Sequence, residues 1–319
     1  MTTAGLPSPE PVAPSVSAVI VNWNTADLLD DCIRSLRAHG GAEIECIVVD
    51  NGSTDGSTEL VADHWPEVQV IANSTNRGYQ AANNQGIRAT QGDVVLLINA
   101  DAMLTPGCLD SLLERLASDP RAAIAAPRLV YLDGSFQRWT AGRLPSLGSA
   151  ASYFFCLDRL FPHAGLWLGR DVDEPFEPGW VSSACMIVRR EALSRIGLMD
   201  ERFFAYMDDV DLCARAREAG FTVWYEPSGT AVHLMGQSTK RRTGEASPLA
   251  LQSFMRWFAM HHSGGSLALF RGMAAFGFAL RSAMYGVASW RHPPRRAAAR
   301  AHFANARRSL ARLETGANV

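Results

Sequence analysis

Five consecutive apolar residues, Val94-Val95-Leu96-Leu97-Ile98, run without a polar break into Asn99-Ala100-Asp101. A run of this kind reads as a strand buried on both faces, the type found inside parallel sheets. Shorter apolar runs precede it, each separated from the next by a helical pattern. Val16 to Val21 and Ile44 to Val49 read as the first two strands, with an amphipathic helix over Asp27 to His39 between them. A helix over Thr58 to His64, a strand over Val68 to Ala72 and a helix over Asn83 to Thr90 lead into Val94. This alternation predicts βαβ units and an α/β fold with a mostly parallel sheet.

Open α/β sheets bind ligands just beyond the carboxyl ends of their strands. A carboxylate at the end of a doubly buried strand is therefore a candidate ligand site. Asp101 is a hard oxygen donor suited to holding Mg²⁺ or Mn²⁺ against substrate phosphates; the competing reading is a plain cap of the next element. The second strand closes in Asp50-Asn51-Gly52-Ser53-Thr54-Asp55-Gly56, dense in turn formers and N-caps. The turn after the first strand, Asn22 to Asp27, contains no glycine. The pyrophosphate fingerprint of dinucleotide-dependent oxidoreductases is therefore absent.

Downstream, a helix is expected over Leu109 to Ser118 and a strand over Ala122 to Pro127. Residues 131–178, rich in aromatics, Gly and Pro, read as long loops with short helices, a length that usually serves function. A strand over Trp180 to Val188 and a helix over Arg190 to Arg195 follow. The helix over Asp208 to Ala219 opens on Asp208, Asp209 and Asp211, which suit a helix N-terminus, and Gly220 ends it. Asp211 reads as a cap or an arginine partner. Thr222 to Tyr225 and Thr230 to His233 read as two short strands.

The 319 residues carry a formal charge of −2, which hides an asymmetry. From Ala246 to Val319 there are ten Arg, no Lys and one acid, Glu314, so residues 1–245 carry −11. An acidic body with a basic appendage follows, and nucleic acid is not an expected partner. None of the six cysteines lies two to four residues from another, which argues against a zinc cluster and for small core residues. The start of the chain, rich in Pro, Ser and Thr, lacks the features of a secretory signal. It reads as a disordered leader, 1–15, on a cytoplasmic protein.

Within the last 74 residues, Ser266 to Trp290 is rich in Leu, Ala, Phe, Met and Gly, interrupted by Arg271 and Arg281. The uninterrupted stretch Gly272 to Leu280 is too short to span a bilayer. With the basic segment Arg291 to Arg312, residues 266–312 suit a helix lying on an anionic membrane surface. A helical pair packed on the main body, with solvated arginines, is the competing reading.

Several motifs in order resemble the family-2 inverting glycosyltransferases. They are Val19-Ile20-Val21-Asn22-Trp23-Asn24, the segment Ile47 to Gly56, and Asn76-Arg77-Gly78-Tyr79 with Ala81 to Ile87. Trp180 to Cys185, Phe203 to Cys213, and Val232-His233 with Gly236-Gln237-Ser238 are similar to the rhamnosyltransferase branch. The resemblance spans about residues 16 to 240. It implies a GT-A catalytic domain over 16–245, a helical basic extension over 246–319, a nucleotide-sugar donor and Mg²⁺ or Mn²⁺.

By that resemblance Val21, Trp23, Asn24, Asp50, Asn51, Asn76, Gly78, Asn83, Asn99 and Ala100 bind the nucleotide sugar. Asp50 would accept from the base ring N–H and Trp23 would pack on the base, unless Trp23 simply fills the core. Asn76, Gly78 and Asn83 also fit plain turn and helix-cap chemistry. Asn99 stands where the fullest family pattern has Asp, so Asp101 is the expected metal ligand, with His233 the second. Asp208-Asp209 resembles the acidic pair that supplies the base, Asp209 being the expected base. The expected reaction is transfer of L-rhamnose from dTDP-rhamnose to a glycan or lipid-linked saccharide, on the inner face of a membrane. A UDP-hexose donor is the alternative within the fold. A non-catalytic glycan-binding module is disfavoured because base and metal ligands are both present.

Overall fold

The computed structural model describes residues 14–41, 44–155, 157, 165–168, 171–235, 247–290, 292–293 and 295–311. Ten strands and ten α-helices appear among them. The first half alternates as expected: β1 (Val16–Asn22), α1 (Ala26–His39), β2 (Glu45–Asp50), α2 (Ser57–His64), β3 (Gln69–Ala72), α3 (Tyr79–Ala89), β4 (Val94–Asn99). Then come β5 (Ala102–Leu104), α4 (Cys108–Ser118), β6 (Ala122–Val130), β7 (Ala141–Gly142), α5 (Leu147–Phe154), β8 (Trp180–Val181), β9 (Cys185–Arg189) and α6 (Arg190–Ile196). The chain continues through α7 (Asp208–Glu218), β10 (Thr222–His233), α8 (Pro248–His261), α9 (Gly265–Ala288) and α10 (Arg295–Leu310).

Eight strands form one sheet in the order β3-β2-β1-β4-β9-β6-β10-β5. Four of its seven pairings are parallel; β9 and β5 run antiparallel, so the sheet is mixed rather than uniform. Alternate residues of the central strands feed opposite cores. Ala18, Ile20, Leu96 and Ile98 meet α1 and α4 on one face. Val19, Val95 and Leu97 meet α3, α6 and α7 on the other. Burial on both faces is why these strands carry no polar alternation. Gly86 permits the close approach of α3, since a Cβ there would lie 2.3 Å from Val19 Cγ1.

Three expectations need correction. Trp180 to Val188 is not one strand: Ser182 donates to Thr140 O at 2.9 Å, so β8 pairs with β7 in a separate ribbon while β9 enters the main sheet. Thr222 to His233 is one strand, not two; its register against β6 shifts between Glu226 and Thr230, where Pro227 and Gly229 sit. Such residues mark bulges as readily as breaks. The stretch Gly272 to Leu280, read as too short to span, lies inside the 24-residue α9, whose most apolar 18-residue window has a mean hydropathy of 1.2, enough by length and composition to cross a membrane. Phe270, Ala274 and Phe278 of α9 are instead buried with Phe154 of α5 and Phe254 and Phe258 of α8.

Candidate active site

The carboxyl ends of β2, β1 and β4 lie side by side, with Asn22 in register with Asp50 and Val21 with Asn99. Asp50 is 2% exposed. Its Oδ1 accepts from the N–H groups of Gly52 (3.1 Å) and Ser53 (2.8 Å), and its Oδ2 from Asn22 Nδ2 (2.8 Å). The carboxylate thus rigidifies the loop that follows it, an Asx-type turn. Asn24, with φ 53°, accepts from Thr54 N at 2.8 Å and closes the first loop onto the second. Trp23 between them is 39% exposed, so filling the core is not its role. Half-buried Val21 lies just behind them.

Asn51 donates to Asn76 Oδ1 (3.0 Å) and Gly78 O (3.1 Å) and accepts from Arg77 N (3.1 Å). Gly78, at φ 89°, adopts a conformation that strains other residues, and a Cβ would come within 2.8 Å of Phe204 O. Tyr79 N donates to that same oxygen at 2.7 Å. The second strand's loop, the start of α3 and the segment before α7 are thereby tied together. Asn83 is buried beside Tyr79, its amide donating to Tyr79 O at 3.0 Å.

At the end of β4, His233 on the last residue of β10 reaches Asp101. His233 Nε2 lies 3.4 Å from Asp101 Oδ1 and 3.4 Å from Asn99 Nδ2. Gln137 fixes which tautomer a neutral imidazole takes here. Its amide nitrogen donates to the carbonyls of Val130 (3.2 Å) and His233, so its oxygen is the atom 3.0 Å from His233 Nδ1. A carbonyl only accepts, so Nδ1 carries the proton of the neutral ring and Nε2 keeps its lone pair. Two acceptors, Nε2 and the Asp101 carboxylate, then face each other in a nearly closed setting. That donor set fits a divalent cation, and a ring N–H held by an acceptor is how metal-ligating histidines are oriented. Among the described residues no cluster of three His, Cys, Asp or Glu side chains suits a metal. A cation at Asp101 and His233 would draw its other ligands from substrate phosphates and water. Ala100 is buried between these residues, and Gly236-Gln237-Ser238 lie outside the described residues.

The acidic pair opens α7. Asp208 is buried and accepts from Ser183 Oγ at 2.6 Å, while Asp209 is more open and its Oδ1 accepts from Val210 N at 2.8 Å. Burial raises both carboxyl pKa values above the ordinary range, Asp209 the further because the Asp208 charge adds to burial. Asp211 bonds Arg215 at 2.8 Å, the arginine partner expected of it. Tyr79 joins this pair to the Asn99, Asp101 and His233 group. Its hydroxyl is 2.8 Å from Asn99 Oδ1 and 3.3 Å from Ser183 O. A continuous run of contacts therefore links His233 and Asp101 through Asn99, Tyr79 and Ser183 to Asp208.

Four non-glycine residues have positive φ among the described residues: Asn24, Tyr206, Met207 and Met235. Each is near a candidate site residue in sequence: Asn24 follows Trp23, Tyr206 and Met207 directly precede Asp208, and Met235 lies two residues after His233. Backbone strain of this kind persists only where the surroundings enforce it. Sequence reasoning missed Gln137, Tyr79 and Ser183 as individual actors. Gln137 has no signal short of coordinates, being 96 residues from His233. The five described cysteines are buried and free, with burial raising the thiol pKa of Cys46 to about 12, which suits packing rather than nucleophilic chemistry. Cys156 lies outside the described residues.

The chain matches the family model described as glycosyl transferase family 2 over residues 17–197. It is 31% identical over 294 residues to the N-acetylglucosaminyl-diphospho-decaprenol L-rhamnosyltransferase of Mycobacterium tuberculosis, covering 87% of this chain and 95% of the relative. It is also 31% identical to the pre-mycofactocin glycosyltransferase of Mycobacterium tuberculosis, covering 83% of this chain and 54% of that one. Among solved structures, a mannosyltransferase from Pyrobaculum calidifontis in complex with GDP-Man and Mn²⁺ aligns with a TM-score of 0.57 at 17% identity, over 93% of this chain and 87% of that one. GalNAc-T7 with UDP, GalNAc and Mn²⁺ aligns with a TM-score of 0.57 at 16% identity, over 77% of this chain and 48% of that one. These likenesses establish the GT-A fold. By its family model and its similarity to a rhamnosyltransferase, the chain is an enzyme that belongs to the family-2 glycosyltransferases.

Proposed function

We propose that the chain transfers L-rhamnose from dTDP-rhamnose to a lipid-linked saccharide by a single inverting displacement. The observation that carries this is the linked set of contacts from Asp101 and His233 to the Asp208-Asp209 pair. In this reading it connects the residues that would hold a cation to the acidic pair that would supply the base. The similarity to an enzyme named for L-rhamnose transfer to N-acetylglucosaminyl-diphospho-decaprenol supports donor and acceptor class. That acceptor class supports work at the cytoplasmic face of a membrane.

In this reading Asp50, Asn51 and the loops they fix hold the nucleoside, with Trp23 against the base, and Asn76, Gly78 and Asn99 border the sugar diphosphate. Asp101 and His233 would hold Mg²⁺ or Mn²⁺, which when bound neutralises charge on the departing nucleoside diphosphate. Asp209 takes the proton of the acceptor hydroxyl as its oxygen bonds the anomeric carbon. The bond from that carbon to the diphosphate oxygen breaks in the same step. The raised pKa of Asp209 suits it, because a stronger base takes a proton more readily near neutral pH. Asp208, held by Ser183, sets the start of α7 and the field at Asp209.

The test is purified chain with Mn²⁺ or Mg²⁺, a panel of nucleotide sugars and N-acetylglucosaminyl-diphospho-polyprenol, with the product's anomeric configuration read by NMR. Rhamnose transfer from the dTDP donor with inverted configuration is expected. Preference for a UDP-hexose, or retained configuration, refutes the reading.

A further inference from the structure

The helical hairpin α9–α10 presents an apolar face that none of the described residues covers. Every exposed position of α9 is apolar or glycine. Leu269 (55%), Phe276 (63%), Leu280 (46%), Met284 (63%) and Val287 (76%) are its large exposed side chains. Their spacing places them along one stripe. Trp290, just beyond the helix, is 89% exposed. Soluble surfaces seldom carry an apolar stripe of this length without a binding role.

The charge beside the stripe names the occupant. No acidic residue occurs between 246 and 313. Arg295, Arg296, Arg300, Arg307 and Arg308 are all exposed on α10, which packs antiparallel along α9, for example through Ser282 Oγ to Ala299 O at 2.8 Å. The stripe and these arginines belong to one helical hairpin, whose charged side chains are all cationic. An apolar stripe flanked only by arginine is the pattern of an element lying in the surface of an anionic bilayer.

We propose that the exposed face of α9 docks in-plane into an anionic lipid leaflet, with the α10 arginines on its headgroups. Spanning is disfavoured by the other face of α9. Phe270, Ala274 and Phe278 are locked into the core that includes Phe154, Phe254 and Phe258. Arg271 donates to the carbonyls of Ser309 (3.0 Å) and Leu310 (2.6 Å), and Arg281 to that of Tyr153. The same core touches Met207, and Ser253 of α8 donates to Ala205 O at 2.7 Å, so the hairpin's foundation also carries the segment leading into Asp208. A docked hairpin thus holds the acidic pair in fixed relation to the leaflet. This deepens the lipid-linked acceptor reading and rests on it for purpose.

The full chain is sedimented with vesicles of phosphatidylcholine alone or mixed with phosphatidylglycerol, both free of saccharide lipid. Binding to the anionic vesicles is expected. Leu280→Glu with Met284→Glu should weaken it about tenfold per side chain. Arg296→Gln with Arg300→Gln should weaken it about fivefold per charge, with turnover on a water-soluble acceptor analogue unchanged for both variants. Absent vesicle binding, or binding that both variants retain, overturns the proposal. A dimer broken by the apolar variant without vesicle binding assigns the stripe to a second copy and overturns it too. Membrane-bound chain that resists alkaline carbonate extraction means spanning, which also contradicts it. Vesicle binding without rhamnose transfer would refute the proposed function and uphold the docking surface.

Discussion

Replacing Gln137 by Leu, a side chain of similar bulk, should damage the proposed cation site without touching either proposed ligand. Gln137 is 1% exposed and makes three hydrogen bonds: it accepts from His233 Nδ1 at 3.0 Å and donates to the carbonyls of Val130 (3.2 Å) and His233. Leu accepts nothing, so the Nδ1 proton loses its partner. The ring is then free to carry its proton on Nε2, 3.4 Å from Asp101 Oδ1. In that tautomer the imidazole donates to the carboxylate, and both proposed cation ligands are spent on each other. Losing such an outer partner typically weakens metal affinity 10–100-fold, about 1.4–2.8 kcal/mol. Mn²⁺ titration in the presence of nucleoside diphosphate, followed by EPR of free Mn²⁺, measures it directly. Turnover at saturating Mn²⁺ should recover, because the ligands themselves remain. Orphaned buried groups also cost on the order of 1–3 kcal/mol each in stability, so the thermal midpoint must be recorded and titration done well below it. Unchanged Mn²⁺ affinity in a folded Gln137→Leu protein would refute the tautomer argument.

Asp208→Asn removes the like charge that helps raise the Asp209 pKa. Asp209, the proposed base, then ionises at lower pH, so the acid limb of kcat/KM should move down; an upward or absent shift contradicts the assigned coupling. The same raised pKa has a stability consequence. The fold favours the protonated carboxyl, so stability is greatest below the ordinary carboxyl pKa and is lost as pH rises through the raised native value. Asp209→Asn should therefore raise the thermal midpoint at neutral pH and flatten its dependence on pH. Gly86→Ala should destabilise by roughly 1–3 kcal/mol, because its Cβ would press on Val19 Cγ1 at 2.3 Å. Urea unfolding checks this, and an unchanged midpoint would mean that α3 and β1 separate freely.

The βαβ half of the fold is legible because each buried strand writes an unbroken apolar run and each helix a periodic one. Asp101 is legible as a candidate because strand ends are where α/β sheets bind ligands; Asp50 and His233 rest on the resemblance, and the structure brings His233 beside Asp101 through the pairing of β10 with β5. What stays illegible is long-range. Nothing local distinguishes Ser182 and Ser183, which split an apparent strand, from serines within one. Pro227 and Gly229 look like a strand break, yet neighbouring β6 holds β10 together across them. Asn83 donates to Tyr79 O because α3 begins at Tyr79, a full turn earlier than its pattern suggests. Arg271 and Arg281 look like interruptions to an apolar helix and are satisfied by carbonyls of α10 and α5 instead.

The division of labour between Asp101 with His233 and Asp209 is tested most directly by donor binding and transfer measured side by side in Asp209→Asn. The account predicts a dissociation constant for the metal–nucleotide-sugar complex within a few-fold of the unaltered chain, with transfer reduced about 10²–10⁴-fold, the contribution typical of a positioned base. Transfer at the unaltered rate, or donor binding lost together with transfer, would contradict it.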